Sequence, residues 1–80
     1  MSPSLPRVEP LAQDVRFTAD SLHVRLADGR EVSVPLVWFP RLRTASAAQR
    51  KNWRLIGGGV GIHWPDIDED VSVEGLLATR

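Results

Sequence analysis

A chain of 80 residues, with ten basic and ten acidic side chains and no cysteine, makes one small domain that buries only roughly 60% of its unfolded surface. The balanced charge gives no bulk attraction for nucleic acid, and the lack of cysteine excludes a disulfide scaffold and a thiolate zinc site. No apolar run approaches the ~20 residues of a membrane span, so a cytoplasmic protein without a membrane segment is the expectation.

Residues 1–12 carry Pro3, Pro6 and Pro10 without periodicity and are expected to form a flexible arm before a single domain over 13–80. From Val15 the pattern alternates. Val15 and Phe17, then Leu22, Val24 and Leu26, then Val32, Val34 and Leu36 are spaced by polar residues, which is the period of half-buried strands. Parity fixes the hairpin. A two-residue Asp28-Gly29 turn would put the apolar rows on opposite faces, whereas a three-residue Ala27-Asp28-Gly29 loop pairs Val24 with Val32 and Leu22 with Val34. The connection at Thr18 to Ser21 likewise puts Phe17 opposite Leu22. An antiparallel meander with one apolar face follows.

Pro35 and Pro40 bracket Leu36-Val37-Trp38-Phe39 and predict a short turn-rich helix near 38–43. Ser46 and Gln49 have capping-box spacing, predicting a second helix from Ala47 through Trp53. The glycine run at 57–61 is expected to end that helix and lead into a fourth strand over 60–64. Ser72 can cap a last helix from Val73 to Ala78, with Glu74 in its first turn. The predicted class is α+β: a meander of three strands plus a fourth, with two or three short helices on one face.

The densest chemistry lies in residues 57–70, where glycines, His63, Trp64 and Pro65 precede Asp66, Asp68, Glu69 and Asp70. The Asp66-x-Asp68-x-Asp70 spacing matches the start of an EF-hand loop. However, Val71 stands where that loop needs glycine and Leu77 where it needs a bidentate glutamate. Two carboxylates with His63 as base would make a metal-dependent enzyme, the least favoured reading, since His23 and His63 are the only imidazoles. A strand histidine bonded to a carboxylate or carbonyl is the structural alternative. The glycine run fits neither a P-loop nor a dinucleotide fingerprint.

Of the three tryptophans, core packing accounts for two, and a third is a candidate anchor for a partner. Arg41, Arg43, Arg50, Lys51 and Arg54 form a basic stretch that faces the acidic one in sequence. The two could pair within the chain, pair across a homodimer, or grip phosphates.

Trp38-Phe39-Pro40-Arg41-Leu42, Gln49-Arg50-Lys51-Asn52-Trp53, and the run from Gly61-Ile62-His63-Trp64-Pro65 through Asp66-Ile67-Asp68-Glu69-Asp70-Val71-Ser72-Val73 to Leu77 closely resemble a bacterial family, domain-of-unknown-function family 2442. The likeness covers nearly all of 13–78. It implies a small α+β fold and a gene often paired with that of another very small protein, as in toxin–antitoxin modules. Some relatives carry a helix-turn-helix extension that is not found in these residues, and the resemblance brings no catalytic residues with it.

The expected function is a non-catalytic interaction module, the antitoxin-like partner of a small protein encoded beside it, with no cofactor and no metal. Trp38, Trp64, Asp66, Glu69 and His63 are the candidate partner contacts, and Asp68 and Asp70 the structural acids. The alternative is a nucleic-acid-binding protein using Arg41, Arg43, Arg50, Lys51 and Arg54.

Overall fold

The computed structural model describes residues 10–78. Strands β1 (Ala12–Phe17), β2 (Ser21–Leu26) and β3 (Glu31–Pro35) form one antiparallel sheet in that order. The paired residues are those that parity requires: Phe17 with Leu22, Val15 with Val24, Val24 with Val32 and Leu22 with Val34. The three-residue loop closes with Leu26 N–H on Arg30 O at 2.8 Å, and Gly29 takes a φ of 97°. Inside that loop Arg30 donates to the Asp28 carboxylate at 2.8 Å and holds its pKa below the ordinary value. Because the folded pKa is the lower one, the pair stabilises the loop above the usual carboxylate range and ceases to as pH falls through the lowered value.

A 3-10 turn at Leu36–Trp38 leads into helix α1 (Pro40–Arg43), and helix α2 follows (Ala47–Lys51). The capping box is present: Gln49 N–H donates to Ser46 Oγ at 3.1 Å and Ser46 N–H to Gln49 Oε1 at 2.9 Å. Helix α2 stops at Lys51, two residues before its expected end, because Asn52 leaves the helical region at φ −91° and ψ 75°. A strand that the sequence pattern hides then begins, β4 (Arg54–Ile56). It pairs with β5 (Gly61–Trp64), and β5 with β6 (Glu69–Ser72), in a second antiparallel sheet. The glycine run therefore turns a hairpin instead of ending a helix. Gly57 and Gly58 have φ of 59° and 72°, and Ile56 O accepts from Gly59 N–H at 3.0 Å, a turn of the primed kind suited to twisted strands. The acidic segment, too, is partly a strand. Helix α3 (Val73–Ala78) is the last described element, its Gly75 N–H donating to Ser72 Oγ at 2.9 Å.

The two sheets share one core. Val15, Leu22, Val24, Leu26 and Val34 from the first meet Ile62, Trp64 and Val71 from the second, with Leu36, Leu42, Val73 and Leu76 closing the ends. The Phe17 and Trp64 rings meet edge to face, with centroids 6.2 Å apart. Ala12 also lies in this core, so the expected arm over 1–12 must end before it: Ala12 N–H binds Gly59 O at 2.7 Å, and Leu11 O accepts from Ala27 N–H at 2.7 Å. Residues 1–9 lie outside the described residues. No helix among the described residues is long and apolar enough to cross a membrane.

Hydrogen-bond alternation fixes which strand edges are free. Thr18 N–H donates to Ser21 O at 2.9 Å, so Arg16 and Asp14 bond to β2 while Val15 and Phe17 point their N–H and C=O groups away from the sheet. Val73 N–H donates to Val60 O at 3.0 Å, which makes His63 and Asp70 a non-hydrogen-bonded pair, the kind whose side chains stand closest.

Candidate functional site

The second sheet sorts the predicted site residues by face. Ile62, Trp64 and Val71 point into the core, and Arg54, His63 and Asp70 form a row across the opposite face, one from each strand. His63 Nδ1 donates to Asp70 Oδ1. An ionised carboxylate can only accept, so the imidazole is the donor of this bond. His63 is thus a paired strand histidine on a half-buried position, and Asp70, expected as a structural acid, is exposed and paired with it.

Trp64 is fully buried, with 0% exposure, and its indole N–H donates to Arg50 O at 3.0 Å. It cannot touch a partner while the domain is folded and leaves the candidate contact set. Trp53 is half-buried against the core, while Trp38 is 42% exposed next to Val37 at 60%. Trp38 is the one exposed tryptophan of the three. Asp66 is exposed and accepts from Asn52 Nδ2 at 3.0 Å.

The expected assignment of Asp68 and Glu69 is reversed by the turn between β5 and β6. Asp68 has a left-handed backbone, φ 53°, which turns its side chain into solvent, whereas Glu69 sits half-buried opposite Trp64. What fastens Asp68 is its carbonyl, which accepts from Arg41 Nη1 at 2.6 Å. Asparagine adopts this conformation as readily as aspartate. Asp68→Asn is therefore expected to melt within about 0.5 kcal/mol of wild type, and Asp68→Val to lose about 1–2 kcal/mol, as thermal denaturation would read.

The basic stretch divides in the same way. Arg50 donates from Nε to Leu42 O and from Nη2 to Arg43 O, both at 2.9 Å, and its guanidinium carbon stands 5.2 Å from the centre of the Phe17 ring. It closes the carbonyl end of α1, stacks on the first sheet and, through its own carbonyl, holds Trp64 of the second. Arg41 and Arg50 are thus committed to backbone carbonyls instead of phosphates. Arg43, Lys51 and Arg54 remain exposed. The acidic and basic blocks form no ion pair with each other among the described residues and meet only through Arg41 and Asn52. Arg50→Lys is expected to destabilise by about 1–2 kcal/mol in urea denaturation, because an ammonium cannot reproduce the planar fork that spans two carbonyls.

Two features escaped the sequence pattern. A cleft of about 350 Å³ opens between β1 and α2, floored by Val15, Phe17 and Trp53 and bordered by Arg16, Arg50 and Lys51. Leu55, Ile56 and Val60 expose large apolar side chains around the glycine hairpin, with exposures of 38%, 42% and 51%. Their signal was faint, since apolar residues beside glycine fit a buried turn as well as an exposed one. No group of three or more histidine, aspartate or glutamate side chains among the described residues is arranged to hold a metal ion.

The comparisons with known proteins agree with this architecture. A solved structure described as a protein of unknown function from Rhodospirillum rubrum ATCC 11170 is 32% identical, with 89% of this chain and 88% of that one aligned at a TM-score of 0.74. Among curated proteins nothing matches. The profile of the family described as Protein of unknown function (DUF2442) matches residues 12–80, and the chain belongs to that family.

Proposed function

We propose that the chain is a small cytoplasmic interaction module that binds a protein partner, the antitoxin-like half of a bacterial gene pair. The observation that supports this best is exposed apolar surface in two places: Val37 and Trp38 in the 3-10 turn after β3, and Leu55 and Ile56 on β4 with Val60 across the glycine hairpin. A chain this small needs its apolar residues in the core, and exposing these five, with Leu77 a sixth on α3, forgoes burial worth roughly 25 cal/mol per Å². Aromatic and aliphatic groups at such turns are the usual anchors of a protein interface. The nucleic-acid reading draws on Arg43, Lys51 and Arg54 alone, since Arg41 and Arg50 are bonded within the fold; three phosphate contacts would give a salt slope near about −2.7 on duplex.

Co-expression with the product of the adjacent gene, with a tag on one chain, tests the proposal. The two are expected to co-purify, and Trp38→Ala or Ile56→Asp to weaken the complex without loss of folding. Failure of the wild-type pair to co-purify at micromolar concentration overturns it.

A further inference from the structure

We propose that the free edge of β1, together with the cleft beside it, is a strand-addition site for an extended acidic segment of a protein partner, one that carries an apolar anchor residue. The inference rests on the reading of the chain as an interaction module. It adds where one partner segment docks and what chemistry that segment has.

Each sheet has two edges, and they differ in what they offer. The outward residues of β3 are Glu31, Ser33 and Pro35, of which Pro35 has no N–H to give and Glu31 and Ser33 have their side chains engaged by Arg16 and His23. Strand β4 has three residues, of which only Leu55 points its backbone groups outward, and a strand so short is itself a guard against edge pairing. The outward residues of β6 are Asp70 and Ser72, whose side chains are already taken up by His63 and by the start of α3. On β1, Val15 and Phe17 direct two N–H and two C=O groups outward at the spacing of one ladder repeat. No backbone bond outside the β1–β2 ladder involves either residue, and Val15 as a whole is 8% exposed. A buried backbone group without a partner costs free energy that an added strand would recover.

The cleft supplies specificity. A strand laid along β1 would point alternate side chains towards the core side, where Phe17 and Trp53 floor a space of about 350 Å³. That lies at the small end of ligand pockets and suits one large apolar side chain. The rim is cationic: Arg50 and Lys51 line it and no acidic residue does, while the Arg16 guanidinium is drawn across the outer face of the sheet to Glu31 on β3. Arg50 is held in place by its two carbonyl bonds and by Phe17, Arg16 is shared with Glu31 at 3.3 Å, and Lys51 makes no ion pair among the described residues. Fixed positive charge around an apolar hole beside an open strand edge fits an extended segment with carboxylates flanking its anchor.

The test uses the full 80-residue chain and an eight-residue capped peptide that alternates aspartate with leucine. Its control replaces every aspartate by lysine. The acidic peptide is expected to bind at least about tenfold more tightly than the control, and Lys51→Glu to weaken it about fivefold or more at unchanged melting temperature. Amide hydrogen exchange should show new protection at Val15 and Phe17, a mark of strand addition that contact by charge alone does not leave. No binding of the acidic peptide at millimolar concentration overturns the site, as does binding without protection of those two amides. Preferential binding of a single-stranded oligonucleotide in the same cleft also overturns it. If the adjacent gene product co-purifies equally with wild type and Lys51→Glu, and leaves Val15 and Phe17 unprotected, the site falls while the interaction-module reading stands.

Discussion

Replacing Trp64 by alanine is expected to leave the domain largely unfolded. The side chain has 0% exposure, meets Phe17 edge to face, and spends its only polar group on Arg50 O. Tryptophan-to-alanine substitutions in a core cost about 3–5 kcal/mol. A domain of this length has a total stability of about 4–12 kcal/mol, by the usual 0.05–0.15 kcal/mol per residue. The loss is thus of the order of the whole, and the half-buried carbonyl of Arg50 would also lose its donor. Trp64→Phe separates the two contributions. It keeps most of the packing but drops the N–H, and should cost about 1–3 kcal/mol. Urea denaturation followed by circular dichroism reads both, and a Trp64→Ala protein that unfolds at the wild-type midpoint would show that the two sheets do not depend on this joint.

The second large effect is expected at Gly59, where the end of the glycine hairpin meets the start of β1. Its φ is 119°, and a Cβ there would stand 2.7 Å from Ala12 O and 3.0 Å from both Ala12 N and Leu11 Cβ. Backbone on one side cannot swing away as a side chain could. The substitution must therefore break the Ala12 N–H bond to Gly59 O, made at 2.7 Å, and part the two sheets at that corner. Gly59→Ala is expected to cost about 3 kcal/mol or more, the sum of left-handed strain and a forced backbone shift. Gly58 is the control. It is also left-handed, at φ 72°, but a Cβ there meets nothing within 4 Å, so Gly58→Ala should cost only the strain, about 1–2 kcal/mol. Melting curves that coincide for the two variants would refute the close approach as the reason for glycine at 59.

The contrast between these glycines marks how far the sequence carries. Four glycines in five residues announce a turn, and local composition says as much at each of them. Which one faces open space and which faces Ala12 depends on a segment more than forty residues away in the chain. The same limit applies to the acidic run. Nothing in its composition marks a strand, yet Glu69–Ser72 forms one, because Val71 pairs with Ile62 in the core and the ladder supplies what propensity does not. Strand β4 was hidden for a related reason. Leu55 and Ile56 are adjacent apolar residues, so no alternation distinguishes the face that points to the core from the one that does not.

Sequence by itself determined the features whose physics is local. The register of the first three strands follows from parity and a three-residue loop, and the starts of α2 and α3 follow from Ser46 and Ser72, since a turn or a cap is decided within a few residues. Tertiary structure alone decided the rest. It put Trp64 inside and Trp38 outside although both precede or nearly precede a proline, and it turned Arg50 from a candidate phosphate ligand into the clasp between α1, Phe17 and Trp64. It also opened the cleft beside β1 from residues on β1, on α2 and just beyond it. Burial, pairing of unlike elements and the shape of an opening arise only when distant segments pack. No window of neighbouring residues contains them.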